Sequence, residues 1–184
     1  MTTPETLHPL ARQFLEKSTE FGYALAIPLC REIAQRSPFR CVTWTLALVE
    51  SEITKITDHA AVADALAVVR ESLANPSENL LPRLDAAAWQ AWACDFNYDS
   101  APFYAHRAAS GLAWATMGAI IGLCRCQFES QFIGIKSNAE NADDYAVGYV
   151  ARECERALGI VFSKSPEGWL RVAKSFTLEM EKPE

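Results

Sequence analysis

Residues 89–107 contain the densest group of side chains that could bind a ligand or transfer a proton. The candidate residues there are Trp92, Asp95, Asp99, Tyr104, His106 and Arg107. Aspartates beside a histidine can set up acid–base chemistry, and an arginine can hold a carboxylate or a phosphate. Aromatic rings beside polar groups are also typical of protein–protein contact sites. A structural interpretation is the simplest of the three, with an aspartate or serine capping a helix and the rings filling the core.

A second group of candidates comprises Glu50, Glu52, Asp58 and His59. Glu52 borders the apolar stripe of a predicted helix, so its carboxylate could be partly desolvated and have a perturbed pKa. Alternatively, Glu52 pairs with a nearby base such as Lys55 or points its carboxylate into water. His59 follows an acid in a predicted first helical turn, which is more typical of a surface residue than of a metal ligand.

A third group lies nearer the C-terminus. Tyr145 and Tyr149 are four residues apart, and Arg152 follows three residues later. On a helix these side chains share one face, so they could form an exposed strip of aromatic and cationic groups. They could equally form a packing pair covered by the aliphatic part of the arginine.

Several sequence motifs that are typical of enzymes are missing from this chain. It has no phosphate-binding loop of the type Gly-x-x-x-x-Gly-Lys-Ser/Thr, no Gly-x-Gly-x-x-Gly and no Gly-x-Ser-x-Gly. It also lacks His-x-x-x-His and Glu-x-x-His, the helical spacings of zinc and di-iron ligands. We therefore assign no catalytic residue, expect neither a metal site nor a cofactor, and favour a protein that is not an enzyme.

The elements that must position these residues are helices. Apolar residues recur every three or four positions, as in Phe39, Val42, Leu46, Val49 and Ile53. Strand-like alternation is nearly absent; 131–136 could form a short strand. We predict an all-α fold with one compact domain over 1–184, in which about seven or eight helices surround a buried central helix near 103–127.

Helix boundaries are predicted from serine–proline pairs and glycines. Ser37-Pro38 and Ser165-Pro166 combine a capping side chain with a proline in the first turn, as does Ser100 ahead of Pro102. A further helix is predicted over 141–158, with Asn141 as its cap and Gly159 as its C-terminal stop.

The central helix raises the question of a membrane. Residues 108–124 carry no formal charge. Their number, 17, is the lower length limit of a membrane-spanning helix. The segment is rich in alanine and glycine, so a buried core helix is favoured over a transmembrane one, and Gly118-x-x-x-Gly122 predicts close helix–helix contact. The six cysteines include no Cys-x-x-Cys pair and are interpreted as structural. The N-terminus has no signal-peptide pattern, so a cytoplasmic location is expected.

Charge decides which partners are expected. The chain has a net charge of −6, and the segment 50–99, with nine acids and three bases, accounts for all of it. A negative field repels phosphate backbones, so nucleic-acid binding is not expected. The leading hypothesis is a cytosolic protein that binds a basic partner protein through an acidic and aromatic surface. Bacterial immunity proteins that neutralise toxins share this general character, which is an analogy only. The alternatives are a small-molecule or catalytic pocket around 95–107 and a homo-oligomer joined by its tryptophan-rich face.

Overall fold

Eight α-helices form nearly all the regular structure of the described residues. The computed structural model describes residues 7–21, 26–57, 59–93, 100–132, 135–162 and 165–183. The helices are α1 (Pro9–Phe21), α2 (Ile27–Arg36), α3 (Pro38–Ile56), α4 (Ala60–Ala74), α5 (Leu81–Trp92), α6 (Ala101–Cys124), α7 (Val150–Phe162) and α8 (Pro166–Glu181). A 3₁₀ turn (Glu78–Leu80) precedes α5, and a π-helical segment (Asp144–Tyr149) leads directly into α7. The all-α prediction is confirmed.

Serine side chains and prolines set the starts of three helices. The hydroxyl of Ser37 accepts a hydrogen bond from the amide of Arg40 at 3.3 Å, and Ser165 accepts one from Gly168 at 2.9 Å. Ser100 caps α6 in the same way. Each cap satisfies an amide that the first helical turn leaves without a partner, and the following proline has no amide to satisfy. The predicted starts of α3, α6 and α8 are therefore confirmed.

Helix α6 is the centre of the fold and packs against α3, α4, α5 and α7. By length and composition alone it could cross a membrane, but 78% of its most apolar stretch is buried inside the protein. Its middle consists mostly of alanine, glycine and apolar residues that are fully buried. Neighbouring helices therefore cover α6 on several sides, as its all-round apolar character predicts.

Glycines on α6 permit the closest helix contact in this arrangement. A Cβ atom at Gly122 would overlap the Cβ of Ala146, and one at Gly118 would lie 3.0 Å from the carbonyl oxygen of Tyr145. Seven residues (about two turns) before Gly118, a Cβ at Gly111 would lie 3.2 Å from the carbonyl oxygen of Glu153. We call these three glycines the glycine seam. The seam lets the π-helical segment and α7 lie directly on the backbone of α6.

Helical structure begins at Ala142, directly after Asn141 as predicted, although the Asn141 side-chain oxygen accepts from the Asn138 amide at 2.8 Å rather than from the first helical turn. The predicted end at Gly159 is wrong, because α7 continues through it to Phe162. A glycine inside a helix costs about 1 kcal/mol relative to alanine. The apolar residues that follow Gly159 offset this cost, because Phe162 is only 4% exposed and Ile160 and Val161 pack against the core.

A short hairpin connects α6 to the π-helical segment. Strands β1 (Phe128–Glu129) and β2 (Lys136–Ser137) pair in antiparallel fashion, with Phe128 opposite Ser137. Only the last residue of the predicted 131–136 strand belongs to β2. Asp85 of α5 holds the loop, because its buried carboxylate accepts hydrogen bonds from Ser130 Oγ at 2.7 Å and from the Gln131 amide at 3.0 Å.

The glycine seam predicts a large effect of one methyl group. Gly122→Ala should lower the free energy of unfolding by roughly 1–3 kcal/mol, because the added Cβ has no space beside Ala146. Urea denaturation followed by circular dichroism measures this change. Gly148→Ala is the matched control, since a Cβ there meets nothing within 4 Å. Equal stability of Gly122→Ala and wild type would contradict the close contact.

Candidate functional site

A cleft of about 610 Å³ lies between α2 and the π-helical segment. Its walls include Arg31 of α2, Tyr145, Gly148 and Tyr149 of the π-helical segment, and Arg152 of α7. Clefts of a few hundred to a thousand Å³ with aromatic walls and a few polar groups are typical small-molecule sites. We call it the α2–π cleft.

The π-helical segment brings the two tyrosines to the cleft. The ring centroids of Tyr145 and Tyr149 are 5.5 Å apart, and the ring planes are tilted by 56° to each other. The amide of Val150 closes the segment by donating to the carbonyl oxygens of both Tyr145 and Val147. Single π-helical turns inside helices occur frequently at functional sites.

Hydrogen bonds to the hairpin hold one wall of the cleft. The hydroxyl of Tyr145 donates to the carbonyl oxygen of Lys136 at 3.0 Å and accepts from the Lys136 amide at 3.2 Å. Asn141 Nδ2 donates to the same carbonyl oxygen at 3.1 Å. Because β2 is tied to the π-helical segment in this way, the Tyr145 ring has a defined position before any ligand binds.

The charges around the cleft are predominantly positive. Arg31 is exposed, and among the described residues no carboxylate lies within 4.0 Å of it. Arg152 has its Nε 3.6 Å from Oε1 of Glu153 and its guanidinium carbon 5.1 Å from the centroid of the Tyr149 ring. Asp144, also at the cleft, contributes one negative charge. Two guanidinium groups against one carboxylate favour an anion.

Two buried groups beside the cleft keep their protons more strongly than usual. Burial raises the pKa of Tyr149 well above its ordinary value, so this phenol stays neutral and can donate a hydrogen bond. Burial also raises the pKa of Glu153, although Arg156, with its Nη1 2.8 Å from Oε2, and Arg152 both act to lower it.

The first predicted group, within 89–107, forms a packed cluster in its described part. The guanidinium carbon of Arg107 lies 3.2 Å from the centroid of the Trp92 ring and 4.8 Å from that of Phe103. His106 is 1% exposed, and its Nδ1 lies 3.1 Å from the carbonyl oxygen of Ala91. These contacts pin the start of α6 against the end of α5.

Of the three remaining members of that group, only Tyr104 lies among the described residues. Tyr104 is half-buried in the first turns of α6, and its ring centroid lies 5.8 Å from that of Phe103. Asp95 and Asp99 lie outside the described residues. A pocket around 95–107 therefore stays a prediction.

Two residues of the second predicted group, Glu50 and Glu52, form ion pairs within the chain, and the ring centroid of His59 lies 4.9 Å from that of His106. Glu50 pairs with Arg70. Glu52 accepts from Arg171 Nη1 at 2.9 Å and lies 3.4 Å from Lys55 Nζ, and the hydrogen bond from Arg171 lowers the pKa of Glu52. This arrangement includes the Lys55 pairing that was the alternative to a desolvated carboxylate. Asp58 lies outside the described residues.

Three cysteines from different helices meet in the core. Cys30, Cys41 and Cys154 are fully buried, and Cys41 Sγ donates to the carbonyl oxygen of Cys30 at 3.3 Å. Burial raises the pKa of each thiol, which keeps all three protonated and unreactive. Among the described residues, no three His, Cys, Asp or Glu side chains are placed to hold a metal ion together.

Sequence reasoning missed Arg31 and Gly148 as cleft residues. It considered Tyr145, Tyr149 and Arg152 as one strip, but nothing local indicates that a residue from α2 joins them. The one usable signal was an isolated glycine inside a predicted helix, which often has a packing or functional reason.

Burial of His106 predicts a pH-dependent stability. Desolvation is the largest cause that lowers its pKa, and the charges of His59 and Arg107 act in the same direction. Below its ordinary value of 6.5 the unfolded chain binds more protons than the folded one, so stability should fall as the pH drops towards the folded pKa. Urea titrations between pH 7.5 and pH 5.5, roughly one unit either side of that value, should show this slope. The slope should be smaller in His106→Asn, and an unchanged slope would contradict the assignment.

Thiol burial predicts selective labelling. Cys124 is exposed and should react with iodoacetamide in the native protein, whereas Cys30, Cys41 and Cys154 should react only after unfolding. Peptide mass mapping after a short pulse distinguishes the sites. Rapid native labelling of Cys154 would show that the core opens more readily than its packing implies.

Comparisons with protein-family models, with curated proteins and with solved structures give no match. No relative therefore supplies a ligand or an activity for the α2–π cleft. The case for a function rests on the geometry of the cleft itself.

Proposed function

We propose that this is a small-molecule-binding protein whose ligand occupies the α2–π cleft. The observation that carries the proposal is the open space at Gly148. Apart from its chain neighbours, a Cβ there would meet nothing within 4 Å, and Gly148 lines the cleft together with Tyr145 and Tyr149. Space of this kind beside fixed aromatic rings can admit a ligand without rearranging the fold.

Binding rather than catalysis fits the side chains at the cleft. Its described lining contains no serine, cysteine or histidine that could act as a nucleophile or as a base near neutral pH. Its polar groups are guanidinium, phenol, amide and one carboxylate, which orient and neutralise a ligand. The sequence-based prediction of a protein that is not an enzyme is compatible with this proposal.

Binding of a basic partner protein through the acidic segment is a second proposal. It is supported by Asp64 and Glu78, which are exposed and have no cation within 4.0 Å among the described residues. However, Glu50, Glu52 and Glu71 already pair with bases of this chain. A partner at that surface would have to use the remaining acids or displace these ion pairs.

A paired glycine experiment tests the cleft. Gly148→Leu should place a side chain in the cleft without disturbing the core, so compounds that stabilise the wild type in a thermal-shift fragment screen should no longer do so. Gly159→Leu is the matched control, because it adds the same side chain to α7 where only a carboxylate oxygen of Glu155 lies near, at 3.6 Å.

The control variant should keep the wild-type response to every stabilising compound. Equal stabilisation of Gly148→Leu and wild type by the same compounds would show that they bind elsewhere. A screen without any stabilising compound would also count against the proposal.

A further inference from the structure

We propose that the ligand of the α2–π cleft is a small anion in which one carboxylate or phosphate group is attached to a planar apolar group. This inference rests on the proposed function and adds the chemical class of the ligand. It follows from the charges, the hydrogen-bonding groups and the rings that the cleft presents.

The positive charge at the cleft is only partly neutralised within the described chain. Arg31 has no carboxylate within 4.0 Å there. The Nε of Arg152 lies 3.6 Å from Oε1 of Glu153, but the same carboxylate also pairs with Arg156, whose Nη1 lies only 2.8 Å from Oε2. One negative charge thus serves two guanidinium groups, so Arg152 retains capacity for an anion. Guanidinium groups favour carboxylate and phosphate because their planar donors match both geometries.

The opposing charge at the cleft limits how negative the ligand can be. Asp144 stands against Arg31 and Arg152, which leaves an excess of one positive charge among the lining residues. A carboxylate, with one negative charge, balances this excess, and a phosphate monoester, with nearly two at neutral pH, exceeds it by about one. The Asp144 carboxylate would repel a polyanion such as a nucleic-acid backbone.

The hydrogen-bonding groups leave one donor for the ligand. The hydroxyl of Tyr145 is already engaged with both backbone groups of Lys136. The hydroxyl of Tyr149 makes no hydrogen bond within the described residues, and its phenol stays protonated because burial opposes ionisation. A neutral phenol beside Arg152 can donate to the same anionic group that the guanidinium binds.

The remaining surface of the cleft suits a flat apolar group. The two tyrosine rings, 5.5 Å apart, and the side chains of Ile27 and Ile135 provide it. Gly148 adds no side chain of its own to this part of the cleft, and a Cβ there would meet nothing within 4 Å apart from its chain neighbours. Aromatic rings stack on planar groups or contact them edge-to-face, which favours an aromatic or conjugated ligand over a branched aliphatic one.

Three simple probes separate charge from shape. Calorimetric titration of the wild-type protein with benzoate and phenyl phosphate should show binding. The affinity for the neutral benzamide should be lower by roughly tenfold or more, because hydrogen bonds to charged groups are stronger than those to neutral groups. A preference between benzoate and phenyl phosphate decides which anionic group the site takes. The affinity for the preferred probe should fall as sodium chloride is raised.

Arginine variants locate the anionic group. Arg31→Met and Arg152→Met should each weaken binding of the preferred anion by roughly tenfold while leaving the affinity for benzamide nearly unchanged. Arg36→Met is the matched control, because Arg36 is on the same helix as Arg31 but donates to the carbonyl oxygen of Met180 and does not line the cleft. It removes the same charge and should leave binding as in the wild type.

Each contrary result has a distinct meaning. Benzamide binding as tightly as benzoate and lost in Gly148→Leu would overturn the anionic ligand class but leave the cleft as the binding site. An equal loss of affinity in Arg36→Met would show a general charge effect and overturn the assignment to Arg31 and Arg152. Absence of anion binding to the wild type would overturn this inference, and the fragment screen would then decide separately whether the cleft binds small molecules at all.

Discussion

The close approach of the 142–157 segment to α6 along the glycine seam is the contact on which the rest of this structure depends. At Gly118 and Gly122 the backbone of α6 leaves room for little more than a hydrogen atom, and the π-helical segment lies directly against it. Interiors are packed densely enough that an extra methyl group there has to displace a helix. The depth at which this segment sits therefore sets the positions of everything attached to it, including the hairpin and the start of α7.

The same segment has a second face that forms the α2–π cleft. A π-helical turn carries one residue more than the hydrogen-bonding pattern of an α-helix allows, so side chains before and after it change their relative orientation. Here the carbonyl oxygen of Tyr145 and the ring of Tyr149 contact the seam at Gly118, while both rings also line the cleft. The core contact and the cleft are thus two sides of one element. The cleft is preformed because its wall is part of the core packing.

The distribution of charge differs from what the net charge suggests. The chain is acidic, yet three of the six described acids of the 50–93 region, Glu50, Glu52 and Glu71, pair with bases of the same chain. Arg171 of α8 donates to Glu52 and to the carbonyl oxygen of Leu48 in α3, and Arg40 of α3 donates to the carboxylate and the carbonyl oxygen of Glu179 nearer the other end of α8. These contacts hold α8 on α3. The cleft, by contrast, has a local excess of positive charge, so local arrangement rather than net charge determines which ligand is attracted.

The sequence by itself determined the helical fold, the starts of α3, α6 and α8, and the buried position of α6. These features depend on nearby residues: a serine caps an amide three positions later, and an apolar stripe requires only the 3.6-residue period. It also indicated the contact at Gly118 and Gly122, since two small residues four apart mark one helix face. Only the tertiary structure decided that α7 continues through Gly159, that a π-helical turn precedes it, and that Arg31 and Arg152 line one cleft. Those outcomes depend on packing between segments far apart in the chain, which no local pattern encodes.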